Sequence, residues 1–142
     1  MKYLTSILIA ILFFSCSSNN EKVLKEAVEI HEQSLAIEKE ISTRFEELEQ
    51  VKNSINIQGR ALTEEEIKFT REVDLLGLSL NYWKENHLEV PSSDQQKNQK
   101  DSSIKFSPQD ILLIQKEFND SIVAIRARVE RLKIPTEDLE GF

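Results

Sequence analysis

Residues 63–87 read TEEEIKFTREVDLLGLSLNYWKENH, and this stretch decides the fold. Phe69, Val73, Leu76, Leu80 and Trp83 follow one another at steps of four and three, which places them on one stripe of a helix. Thr63 stands three residues before Glu66. That is the capping-box spacing, in which the threonine hydroxyl accepts from the Glu66 amide and the Glu66 carboxylate reaches back to the Thr63 amide. Leu62 and Ile67 occupy the two positions of a hydrophobic staple. Gly77 inside the apolar stripe lowers helix stability by about 1 kcal/mol relative to alanine, and a close approach by a neighbouring helix accounts for it.

Outward from this segment the same pattern appears twice more. From Glu21 to Ser54 there is no proline or glycine, and Ala27, Ile30, Ile37, Ile41, Phe45, Leu48 and Val51 recur at helical spacing. The stretch from Asn53 to Arg60, with Gly59, closes that helix. On the other side, Ser107-Pro108-Gln109-Asp110 gives a cap followed by proline at the first helical position, flanked by Phe106 and Ile111 as a staple. Ile111, Ile114, Phe118, Ile122, Ile125, Val129 and Leu132 then continue until Pro135 stops the run. The expected helices are 21–54, 64–87 and 108–133. Residues 88–106 carry no period and are rich in Ser, Gln, Asn, Lys and Asp, the composition of a mobile linker. Only three glycines and three prolines occur in 142 residues, too few for an all-β chain with frequent turns. The fold class is therefore all-α, a three-helix antiparallel bundle of coiled-coil-like character, antiparallel because that is the usual solution for neighbouring helices in bundles.

The first 20 residues follow a different logic. Lys2 supplies a basic start, Tyr3 to Phe14 is almost wholly apolar, and Ser15-Cys16-Ser17-Ser18-Asn19-Asn20 follows. An apolar run of about 12 residues is short of the roughly 20 that cross a bilayer as a helix, so it reads as an export signal that is cleaved. Cys16 is the one cysteine and has no partner for an intramolecular disulfide. Its place after a small residue resembles a lipobox, although the two positions before Ser15 hold Phe13 and Phe14. The expected layout is a signal peptide over 1–15, a lipidated Cys16 with a tether to Asn20, and a helical domain over 21–142. Cleavage elsewhere in Ser15-Cys16-Ser17 would instead release a soluble periplasmic protein. Diacylglyceryl and N-acyl chains on Cys16 suffice for stable membrane attachment. The formal charge is −7, and loss of Lys2 with residues 1–15 leaves −8. An acidic chain of this kind does not suit nucleic acid as a partner.

Candidate binding residues are few. His31 and His87 are the only histidines. Both fall on apolar registers, and with Trp83 they outline a pocket between helices, which gives the alternative reading of a periplasmic protein that binds a small ligand or a metal. No HExxH, CxxC or Glu-x-x-His spacing is present, so no metal ligands are assigned. The acidic run Glu64-Glu65-Glu66 sits in a first helical turn, where the backbone dipole favours it. No glycine-rich phosphate loop and no serine with a matching His/Asp set are found, so the reading is non-enzymatic, with no catalytic residue and no cofactor. Tyr82 and Trp83, the only aromatic pair after the apolar leader, offer a recognition surface or core. Helix one, at roughly 50 Å, outruns helix two by about 14 Å. The linker, helix three or a partner must cover its early turns, which makes Leu24, Val28 and Leu35 a candidate partner surface. The expected partners are the membrane, through the anchor, and an envelope protein or a second copy of the chain.

His31-Glu32, the run through Ile37, Lys39 and Ile41, and Asn81-Tyr82-Trp83-Lys84 ahead of a polar linker carry a resemblance. With its third long helix, the chain resembles the small helical lipoproteins of Bacteroidota that are labelled after a viral A-type inclusion protein. The resemblance implies a lipid anchor and a helical domain, and no activity. No acidic run of the kind some Bacteroidota use for surface export follows Cys16, which points to the periplasmic face of the outer membrane.

Overall fold

A computed structural model describes residues 2–90 and 106–135, with side chains from Asn19 onward. Among the described residues three helices, α1 (Lys2–Asn56), α2 (Glu64–Asn86) and α3 (Pro108–Arg131), follow one another in that order, so the class is all-α. The linker read over 88–106 lies outside the described residues except for 88–90 and Phe106.

Residues 64 and 108 begin their helices as the caps require. The Thr63 hydroxyl accepts from the Glu66 amide at 3.2 Å, and the Thr63 amide donates to Glu66 Oε2 at 2.8 Å. Ser107 and Asp110 repeat the arrangement at 3.1 and 3.0 Å. Pro108 is the first residue of α3, where its missing amide hydrogen is no loss. Helix α1 ends two residues later than expected, and Gly59 follows in the left-handed region at φ 68°.

The start of α1 differs from expectation. In place of a tether over Cys16–Asn20 and a helix from 21, the backbone is helical from Lys2 through all of those residues. The reason lies in composition: no glycine or proline occurs before Gly59, and serine and asparagine oppose an established helix only weakly. Among the described residues no helix is long and apolar enough to cross a membrane.

The chain divides into two compact units, one of 1–33 with 88–119, the other of 34–87 with 120–142. In the second, Ile41, Phe45, Leu48 and Ile55 of α1 are buried, as are the whole stripe Phe69, Val73, Leu76, Leu80 and Trp83 of α2, and Ile122, Ile125 and Val129 of α3. Each such aliphatic or aromatic side chain contributes roughly 1.5–3 kcal/mol by leaving water. In the first unit Ala27 and Ile111 are buried, and Lys116 of α3 pairs with Glu26 of α1 at 2.8 Å. Helix three therefore accompanies the early turns of α1, one of the three ways in which those turns could be covered.

The register of α3 departs from its apolar reading at one position. Gln115, 2% exposed, takes the core place assigned to Ile114, which is half-buried. The buried series Ile111, Gln115, Ile122, Ile125 and Val129 keeps heptad spacing. Ser34 does the same in α1, midway between Ala27 and Ile41 and 1% exposed.

Candidate functional site

The sequence-predicted site residues belong to both units. In the first unit, His31 of α1 meets Gln115 of α3, with Nδ1 and Oε1 3.2 Å apart. Gln115 Nε2 donates to the Leu88 carbonyl at 2.8 Å. That bond fixes the amide so that its oxygen accepts, and the His31 Nδ1 carries the hydrogen. A buried glutamine thus ties α1 to the residues that follow α2.

In the second unit, the rings of Trp83 and His87 stack with centroids 4.8 Å apart and planes within 2°. His87 closes α2: its backbone amide donates to the Trp83 carbonyl at 2.9 Å, and its Nδ1 lies 2.9 Å from the Lys84 carbonyl, which can only accept. Beside this stack, Lys84 pairs with Glu38 of α1 at 2.8 Å and donates to the Ser42 hydroxyl at 3.1 Å, while Ser42 donates to Glu38 at 2.7 Å. Partial burial pushes the Glu38 carboxyl upward, but hydrogen bonds from Lys84 and Ser42, with the charges of Lys84 and His87, together hold it below the usual glutamate value. Trp83 and His87 lie together in the second unit, and His31 meets Gln115 in the first. Among the described residues no group of three or more His, Cys, Asp or Glu side chains could hold a metal ion.

Of the aromatic pair, Trp83 is core at 2% exposure and Tyr82 is surface at 69%. Tyr82 lines an open groove of about 820 Å³ with Leu78 and Glu85 of α2 and Ala124, Ile125 and Arg128 of α3. Arg128 is held at its margin by Glu72, which accepts from Nε at 3.0 Å and Nη2 at 2.8 Å. The groove is lined by apolar side chains with the charged Glu85 and Arg128 among them. Sequence reading touched this place only through Tyr82. Leu78 escaped because an exposed leucine breaks no pattern, although its spacing to Tyr82 was visible.

Of the other candidates, Leu24 is half-buried and Val28 and Leu35 are 37% and 38% exposed on α1. Cys16 falls within helical backbone, before the first described side chain. Comparison with protein families, with curated proteins and with solved structures finds no match to this chain.

Proposed function

We propose that the chain is a lipoprotein of the cell envelope, anchored through Cys16 after removal of residues 1–15, whose helical domain is a non-enzymatic protein-interaction module. The reading for the anchor rests on Lys2, the apolar run Tyr3–Phe14 and the lone cysteine after it, and it favours the periplasmic face of the outer membrane. An antiparallel course of α1 and α2 is supported by their contacts in the second unit: Glu38 pairs with Lys84, Phe45 faces Gly77, and Lys52 pairs with Asp74, one number rising as the other falls.

The observation that carries the interaction reading is the exposed series Leu75, Leu78 and Tyr82 beside the groove, at 45%, 68% and 69%. Apolar side chains grouped in this way on one face mark contact surfaces more often than single exposed leucines do. Leu24, Val28 and Leu35 on α1 form a second, less exposed apolar surface for the same purpose.

Two experiments in intact cells test this. Metabolic labelling with an alkyne fatty acid should mark the wild type and not Cys16→Ser. In-cell cross-linking followed by mass spectrometry should recover a partner, foreign or self, whose yield drops in Leu78→Glu. Absence of label in the wild type removes the anchor, and absence of any cross-linked species removes the interaction module.

A further inference from the structure

A second heptad runs along α2 on the face that the core does not use. Arg71, Leu75, Leu78, Tyr82 and Glu85 follow at steps of four, three, four and three, the spacing that lets one helix meet another along its length. The three apolar members are the exposed series already described. Arg71 and Glu85 are also exposed, and neither is engaged in an ion pair among the described residues. An apolar centre is thus bounded at each end by one exposed charge, positive at the N-terminal end and negative at the other.

We infer that this seam is the contact surface of a homodimer, in which α2 of a second copy lies antiparallel across it about a two-fold axis at Leu78. The inference rests on the interaction-module reading and names the partner. Arg71 and Glu85 stand equally far from Leu78 in sequence, about 10 Å along the helix on either side. An antiparallel crossing therefore sets Arg71 of each copy opposite Glu85 of the other, and the symmetry makes the pair twice. Leu78 meets its own counterpart, and Leu75 meets Tyr82. A parallel crossing would instead oppose arginine to arginine and glutamate to glutamate, an arrangement that like-charge repulsion disfavours. The seam is complementary to itself in one direction only, and that selects a second copy as occupant. Ser121 and Ala124 of α3, small and exposed, line the groove alongside and leave room for the incoming helix. The formal charge of −7 opposes association, so the contact is best read at moderate salt, where long-range repulsion is screened.

The test uses the full chain in detergent, with its mass followed by sedimentation over a range of concentrations and its helicity by circular dichroism. The wild type should dimerise and Leu78→Glu should be monomeric with unchanged helicity, since Leu78 is exposed. Arg71→Glu and Glu85→Arg should each weaken the dimer at least ~10-fold, because each creates two repulsive pairs. The double reversal Arg71→Glu/Glu85→Arg should restore it. A monomeric wild type, or a double reversal no better than the singles, overturns the inference. If the wild type is monomeric while a foreign protein is cross-linked through Leu78 in cells, the dimer falls and the interaction module stands.

Discussion

Gly77 of α2 faces the ring of Phe45 in α1 so closely that a Cβ at position 77 would stand 3.0 Å from Phe45 Cζ. The ring is buried and has little room to yield. Gly77→Ala gains about 1 kcal/mol in helix propensity and loses about 1–3 kcal/mol to overpacking. The expected net is a destabilisation of about 1 kcal/mol. Pairing the change with Phe45→Leu should recover part of it. Thermal unfolding of both variants checks this, and a higher midpoint for Gly77→Ala alone would show that the Phe45 ring gives way to the added methyl group.

Gln115 yields a second prediction. It is buried and bonded on both sides, to His31 and to the Leu88 carbonyl. Gln115→Ala removes both bonds and leaves a gap, for an expected loss of about 1–3 kcal/mol. Gln115→Leu should be no less stable than Gln115→Ala, since it refills the volume, but it removes the polar constraint that sets helix register. Denaturant unfolding measures the first effect. For the second, broadened amide resonances in the leucine variant would show the lost uniqueness, and unchanged spectra would refute it.

These cases show what one helix can reveal about three. The starts of α2 and α3 were legible because a cap is local: Thr63 with Glu66, and Ser107 with Asp110, need nothing beyond four residues. The stripe Phe69–Trp83 was legible because every member is apolar. Gln115 and Ser34 were missed because apolar periodicity skips polar residues, although Ser34 lies seven from both Ala27 and Ile41 and heptad spacing would have found it. The pairing of His31 with Gln115 depends on how α1 and α3 are set against each other, which neither helix records alone. The bidentate bond from Arg60 to Glu66, at 3.0 and 2.7 Å, was likewise outside any periodic signal.

Among the described residues three carboxylates are held below their ordinary values. Glu66 is held below its ordinary value by the Arg60 guanidinium first and the Thr63 amide next. Asp110 is held down by the Ser107 hydroxyl and then its amide, and Glu38 by the Lys84 and Ser42 contacts that outweigh its burial. A carboxyl depressed in the folded state contributes stability that is fully present above its unfolded value and is lost as pH falls through the folded one. Stability should therefore decline below pH 4.5, the ordinary glutamate value, and continue downward through the lower aspartate value of 3.8. Glu66→Gln should be less stable than the wild type at neutral pH, and the gap should narrow in acid as the wild-type carboxyl takes its proton. Urea unfolding at both ends of that range decides; a gap of constant size would mean that Glu66 does not titrate as described.

The last prediction concerns the one tryptophan of the chain, which makes its own emission a site-specific signal. Trp83 is 2% exposed, and His87 lies flat against it at the end of α2. His87→Ala uncovers one ring face and removes a stacked pair worth about 0.5–1.5 kcal/mol, so the emission should shift to the red and the unfolding midpoint should fall. His87→Phe retains a flat ring at the same place and should keep the blue emission, although it lacks the bond to the Lys84 carbonyl. The two variants separate ring cover from hydrogen bonding. Equal red shifts in both would mean that the bond to Lys84, and not the stack, holds the end of α2 closed over the tryptophan.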